Sequence, residues 1–169
     1  MQIFANPDYR LSRFPTGAKV FYSLFLVFVL LGLLTSLGFI FAKSGVSAAT
    51  VAEYYRQEDS GLGPKSFLEL LETAHFHLFS MPIFFLVLGH IFVLTSVSPR
   101  WKMIVVVTAF VALLLEVALP WLIVYGSAGF AWLEHPTRLA FFGTFVVMAV
   151  LPLLEMWSPP SGSVSSSVD

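Results

Sequence analysis

The feature that most constrains this fold is a series of four long apolar stretches, at residues 17–42, 66–97, 99–126 and 136–157. A helix needs about 20 apolar residues to cross the hydrocarbon core of a bilayer, and each stretch is at least that long. Only helices and closed barrels satisfy every backbone polar group in lipid. The sequence therefore predicts an all-α protein, an integral membrane four-helix bundle, in which residues 1–157 form a single transmembrane domain.

Composition supports this reading and excludes several function classes. The chain is 57% hydrophobic and 11% charged, which is typical of a protein surrounded by membrane lipid. A net charge of only -1 gives no reason to expect a nucleic-acid partner. The sequence contains no cysteine, which removes disulfides, thiolate zinc sites, cysteine-ligated iron–sulfur clusters and covalently attached c-type haem. A metal would therefore have to be held by histidine, methionine or carboxylate side chains.

Cap and turn residues separate the four stretches. Residues 66–69 read Ser-Phe-Leu-Glu, the pattern of a capping box, and predict that the second helix begins there. Pro99 and Pro136 predict the first turns of the third and fourth helices, because proline is favoured at the first helical position. The tail at residues 158–169 is rich in serine and proline and is expected to be disordered.

The basic residues predict how the bundle is oriented. Cytoplasmic loops are enriched in lysine and arginine. Both termini are therefore expected in the cytoplasm, with the 43–65 segment on the outer side, where residues 47–59 are expected to form a short surface helix. The bacterial inner membrane is the expected location. The residues behind this expectation precede the first helix or lie between the second and third: Arg10, Arg13, Lys19, Arg100 and Lys102.

The second helix carries three of the four histidines, and ionisable side chains inside a membrane span point to function. His75 and His90 are separated by about 60° of rotation and about 22 Å of rise, so they share one face at opposite depths. His77 lies about 140° around the helix from His90. Because Pro82 could kink the helix between them, the choice between His75 and His77 stays open. His90 is expected to be a buried imidazole with no polar partner in this chain, a costly arrangement unless something external satisfies it.

Two histidines on one helix, 13 or 15 residues apart and placed toward opposite leaflets, resemble the arrangement in membrane b-type cytochromes of the dihaem four-helix type. The resemblance covers the second helix only. It implies one or two b haems, with His90 and either His75 or His77 as axial ligands, and electron transfer between membrane quinone and a partner redox protein. Gly89 beside His90 would let a flat macrocycle approach the helix closely.

One chain offers too few histidines for two haems with two histidine ligands each. His135, at the start of the fourth helix, could complete an outer site with His75 or His77. The inner site has only His90. Its second ligand would be Met148 on the fourth helix, His90 of a second copy in a homodimer, or a residue of another membrane or periplasmic redox subunit, unless the site has no second ligand.

Two other function classes compete with this account. Glu72, His75, His77 and Glu116 lie at comparable depths and resemble a non-haem metal set, which would make the chain a metal-handling membrane protein. The chain could instead be a scaffold or assembly subunit of a respiratory or photosynthetic complex. In that case the histidines would bond neighbouring subunits or ligate a pigment. In any function class, His77 could simply hydrogen-bond a neighbouring helix, and His135 could be an interfacial cap residue.

The role of Glu116 also has two readings of equal weight. The residue lies among leucines and valine in the third stretch. It could accept a proton beside a quinol site, or it could be a protonated side chain that bonds a backbone carbonyl or a hydroxyl on another helix. Glu72 belongs to the same proposed proton or quinone site.

Overall fold

The computed structural model describes residues 11–159, so Arg10 and most of the predicted tail lie outside the described residues. The described chain is helical throughout, with short turns and no strands. Its α-helices are α1 (Thr16–Ser44), α2 (Ala48–Arg56), α3 (Phe67–Val93), α4 (Pro99–Tyr125) and α5 (Glu134–Trp157). Short 3-10 turns lie at Leu11–Arg13 and Ala128–Leu133.

The predicted fold class is confirmed. Among the described residues, α1, α3, α4 and the segment 128–157 are long and apolar enough to cross a membrane. The protein is therefore an integral membrane four-helix bundle in contact with lipid. The remaining helix, α2, is too short and too polar to span, and it follows the N-cap Ser47 within the segment where a surface helix was expected.

The helix starts agree closely with the cap residues. Ser66 accepts a hydrogen bond from the backbone of Glu69, whose carboxylate accepts one from the backbone of Ser66, so the capping box is confirmed. α3 ends at Val93, four residues before the apolar stretch ends. The reason is Lys102 at the start of α4, whose ammonium group donates to the carbonyl oxygens of Val93 and Thr95 at 2.7 and 2.6 Å and closes the turn.

Packing around α5 leaves the bundle uneven. α5 contacts α1, α3 and α4, and α3 also packs along α4, so these three C-terminal helices form the compact part. Their shared core includes Phe92, Leu113 and Met148. α1 packs mainly against α5 and α2, and much of its surface is exposed. A cleft consequently separates α1 from α3.

Hydrogen bonds at the two ends of the bundle show which helix ends and loops lie on the same side of the membrane. At one end, the Trp157 indole donates to the Ser23 hydroxyl at 2.9 Å, and the Glu155 carboxylate accepts from the Ser96 backbone at 2.6 Å. We call this end the turn side, because it holds the α3–α4 turn. At the other end, the Arg56 guanidinium donates to the Ile123 carbonyl oxygen at 3.1 Å and fastens α2 over the end of α4. We call this end the α2 side.

Candidate functional site

The outward face of α3 carries two of the three histidines of that helix. His75 and His90 are both exposed, and Phe79 and Leu86 between them are exposed as well. The His75 ring stacks on the Phe79 ring with centroids 6.3 Å apart. As helical geometry predicted, His75 and His90 share a face, and that face points away from the rest of the bundle.

The expectation that His90 is buried without a polar partner is wrong. The ring is exposed, and its Nδ1 donates to the Leu86 carbonyl oxygen at 2.7 Å. A histidine in a helix can reach the carbonyl four residues before it, so the helix itself satisfies one ring nitrogen. The other nitrogen, Nε2, is then the acceptor in the neutral ring. A metal-binding imidazole is commonly held in this way, with one nitrogen bonded to a carbonyl and the other free to coordinate.

His77 faces a different space, the cleft between α1 and α3. This cleft has a volume of about 710 Å³ and is mostly apolar. Its aromatic lining comes from α1, α3 and α5, and several of these rings are also exposed to the surroundings, so the cleft opens sideways from the bundle. We call it the apolar chamber. Within the described part of the chain, the polar residues that line it are Thr35, Ser36, His77 and Glu116.

A second cavity, of about 360 Å³, lies toward the α2 side. We call it the polar chamber, because charged and hydroxyl groups from five different elements line it. His77 and Glu116 line both chambers and therefore lie where the two meet. Other polar residues that line this chamber are Lys43, Ser44, Tyr54, Tyr55, Lys65, Glu69, Glu72, Thr73 and Arg138.

Glu116 is the most unusual group at this junction. Its Oε1 atom is buried and has no hydrogen-bond partner among the described residues. The structural reading expected a protonated Glu116 to bond a backbone carbonyl or a hydroxyl on another helix, and among the described residues Oε1 has no such partner. A buried polar atom without a partner costs about 1–3 kcal/mol, which is the kind of cost that proteins accept at functional sites.

His77, which lines the same two cavities as Glu116, has a defined tautomer. His77 Nδ1 donates to the Thr73 carbonyl oxygen at 2.8 Å, because a carbonyl oxygen can only accept. Nε2 of the neutral ring is consequently an acceptor. A neutral carboxylic acid at Glu116 would supply a donor. The junction can therefore accept a hydrogen bond through one residue and donate one through the other.

The two remaining ligand candidates have environments of their own. His135 is exposed, and its Nε2 donates to the Val46 carbonyl oxygen at 2.7 Å, which fastens the start of α5 to the α1–α2 loop. Met148 is 1% exposed and packed inside the core, whereas His90 faces outward. The structure does not bring either residue into a shared site with a histidine of α3.

The four-residue metal set is also divided. Glu72, His77 and Glu116 line the polar chamber, while His75 lies on the exposed face of α3. Within residues 11–159, no three histidine or acidic side chains are close enough to hold one metal ion. Gly89 is half-buried beside His90, and an added Cβ there would meet no atom within 4 Å, so the surface next to this histidine is open.

Buried charge lies close to the polar chamber. Glu134 and Arg138, one helical turn apart at the start of α5, form an ion pair at 3.0 Å. The Arg138 guanidinium also donates to the Ser44 hydroxyl at 3.3 Å. Burial, followed by the nearby Glu134 carboxylate, raises the pKa of Tyr55 above its ordinary value. Tyr55 therefore keeps its proton at neutral pH and remains a donor.

Sequence reasoning missed the contribution of α1. Thr35 and Ser36 line the apolar chamber, and both hydroxyls donate to the Gly32 carbonyl oxygen, at 2.8 and 2.9 Å. Gly32 lines the chamber as well. The available signal was this cluster of small and hydroxyl residues within an otherwise bulky apolar stretch, since such residues commonly mark close approach inside membranes.

Comparison with known proteins gives a family and no activity. The Aq_1264_TM family model, described as a transmembrane helical domain, matches residues 45–163. This segment contains α2 to α5, and therefore every histidine and Glu116. Searches of curated proteins and of solved structures returned no match.

Proposed function

We propose that this chain, a member of the Aq_1264_TM family of transmembrane helical domains, is a subunit of a membrane electron-transfer complex. We further propose that it binds a quinone between α1 and α3. The observation that carries the proposal is the position of His77 and Glu116. They are polar groups at the inner end of an apolar chamber that opens sideways from the bundle.

The junction matches the two oxidation states of a quinone head group. A quinol hydroxyl needs an acceptor, which His77 Nε2 supplies because Nδ1 is already bonded to Thr73. A quinone carbonyl needs a donor, which a neutral Glu116 supplies through the carboxyl oxygen that lacks a partner in the protein. Few polar groups placed in a mostly apolar pocket are the usual basis of orientation and specificity for such ligands.

The apolar chamber suits the rest of an isoprenoid quinone. Its volume of about 710 Å³ lies within the range of about 300–1,000 Å³ that is usual for small-molecule sites. The lining rings Phe28, Phe39 and Phe84 are among the exposed large side chains, so a bound tail could continue into lipid without leaving an apolar surface. α1 packs against α5 rather than α3, which leaves the side entrance open.

The haem part of the proposal concerns the opposite face of α3. One chain does not fit a haem with two axial ligands, since His75 and His90 both point outward and Met148 is enclosed in the core. We propose that His90, with Nε2 free, and His75 contribute ligands at an interface with a second copy or another subunit. A haem held there would supply one-electron chemistry, and this chain would supply its ligands and an apolar surface.

The orientation and location belong to the same proposal. The start of α1, the α3–α4 turn and the end of α5 share the turn side, and Lys19, Arg100 and Lys102 lie there. By the enrichment of basic residues in cytoplasmic loops, the turn side faces the cytoplasm of a bacterial cell and the α2 side faces outward.

The test is a measurement of quinone that copurifies with the protein in lipid nanodiscs. We expect near-stoichiometric quinone in the wild type and a loss of at least tenfold in Glu116→Leu combined with His77→Phe. Glu72→Gln is the matched control, because Glu72 lines only the polar chamber and should leave the quinone content unchanged. Equal quinone in the wild type and the double variant would overturn the proposal, and absence of both quinone and haem would favour a scaffold subunit.

A further inference from the structure

We propose that the polar chamber is a proton path that connects Glu116 to the water on the α2 side of the membrane. The link to quinol chemistry rests on the proposed function, because oxidation of a quinol releases protons that need an exit. The path itself follows from geometry alone. Glu116 lines the apolar chamber and the polar chamber at once, and its Oε1 atom has no hydrogen-bond partner among the described residues.

The polar chamber has the composition that a proton path needs. α3 contributes Glu69, Glu72 and the Thr73 hydroxyl along one wall. A carboxylate or hydroxyl can accept and release protons to ordered water in a cavity of this size, and water needs two or more polar partners to be held there. With a volume of about 360 Å³, the chamber can hold several water molecules.

The cationic and phenolic groups of the same chamber shape the path without carrying the proton. Lys43 from α1 lies over the Phe39 ring at 4.3 Å, and Lys65 lies over the Tyr54 ring at 4.4 Å. Arg138 from α5 is paired with Glu134. Tyr55 from α2 retains its proton, because burial raises the pKa of its hydroxyl. The groups left to pass a proton along this path are the carboxyl groups and the His77 imidazole, which lines the same chamber.

On the turn side of Glu116, the described residues pack closely and are apolar. Below the junction, α3 and α4 close on Leu88, Phe92 and Ala109, which are 0%, 0% and 1% exposed. The rings of Phe85 and Phe145 add an apolar contact with centroids 4.6 Å apart. A proton cannot cross such a packed region without polar groups or water. Exchange at Glu116 is consequently directed to the α2 side.

Infrared spectroscopy of the full chain in nanodiscs tests this inference without any turnover. A protonated carboxyl group gives a carbonyl stretching band that shifts to lower frequency when deuterium replaces the proton. We expect one such band to disappear in Glu116→Gln and to remain in Glu72→Gln. In the wild type, we expect the Glu116 band to shift rapidly after transfer to D2O, at a rate that rapid mixing resolves.

A second substitution tests the route of the proton through the polar chamber, rather than the Glu116 carboxyl group itself. Thr73 is exposed and lines the polar chamber, and its backbone carbonyl, which His77 bonds, survives substitution. Thr73→Leu should therefore slow the shift of the Glu116 band at least tenfold without removing the band. Thr35→Val, in the apolar chamber, is the matched control and should leave the exchange rate unchanged.

The outcomes separate the path from the quinone site. Equal exchange rates in Thr73→Leu and the wild type would overturn the path, and so would a Glu116 band that does not shift after hours in D2O. Rapid exchange that Thr73→Leu slows, in a protein that holds no quinone, would support the path and reject the quinone assignment. A thermal melt of each variant identifies any that fail to fold, in which case Thr73→Val replaces Thr73→Leu.

Discussion

His77 of α3 and Glu116 of α4 lie at the junction of two cavities, one apolar and one polar, although they are 39 positions apart in sequence. Each has one polar atom available to a ligand. His77 has Nε2, since Nδ1 bonds Thr73, and Glu116 has Oε1, which lacks a partner among the described residues. This pair is the basis of the proposed quinone site and of the proposed proton path.

Removing the unpartnered carboxyl group should stabilise the protein. In protein from which detergent has extracted the quinone, we expect Glu116→Leu to raise the melting temperature, because the variant no longer buries a polar atom whose burial costs about 1–3 kcal/mol. Differential scanning calorimetry measures the change. A lowered melting temperature would show that Glu116 is a structural residue after all.

Substitution of Glu134, the partner of Arg138, should lower the melting temperature. Glu134 is 1% exposed and lies 3.0 Å from Arg138, so Glu134→Leu leaves a cation without its partner. Loss of one member of a buried pair costs about 3–5 kcal/mol, and we expect a marked fall in melting temperature. The double variant Glu134→Leu, Arg138→Leu serves as control and should lose less stability than the single variant. A greater loss in the double variant would contradict this account.

Two glycines of α1 give a matched test of the apolar chamber. Gly32 lines the chamber and Gly38 does not, and a Cβ added at either meets no atom within 4 Å. We expect Gly32→Leu to fill the chamber and lower the quinone content at least tenfold, whereas Gly38→Leu should leave the content unchanged. Both substitutions place a good helix former in α1, so neither should destabilise the helix. Equal quinone content in the two variants would place the ligand elsewhere.

The outward histidines predict a haem that depends on association between chains. In a pyridine haemochrome assay we expect His90→Ala to lose the haem, while His135→Ala retains it, because His135 is bonded to Val46. Gly89→Leu should also lower the haem content, since it places a bulky side chain on the open surface beside His90. Full haem content in His90→Ala would remove this residue as a ligand.

The association itself can be measured separately. If the haem lies between two copies, size-exclusion chromatography with light scattering should show a dimer for the wild type and a monomer for His75→Ala, His90→Ala. A monomeric wild type that retains haem would instead require a ligand within the same chain, contrary to the outward direction of both histidines.

The sequence alone determined the four crossings, the N-terminal cap of α3 and the angles among the histidines of that helix. These properties depend on helix length, local backbone bonding and a rotation of about 100° per residue, all of which act within one segment. Helical rotation put His77 away from His75 and His90, but it could not say which face the other helices would cover.

Only the tertiary structure decided which face of α3 the other helices cover. α4 and α5 pack on the side of α3 away from His90, and α1 stays apart from α3, so His77 and Glu116 line the same two cavities while His90 faces outward. The lining of both chambers is assembled from helices far apart in sequence. In a membrane, lipid and a neighbouring helix are both apolar, so hydrophobicity does not reveal which face is buried. Only close packing between whole helices settles it.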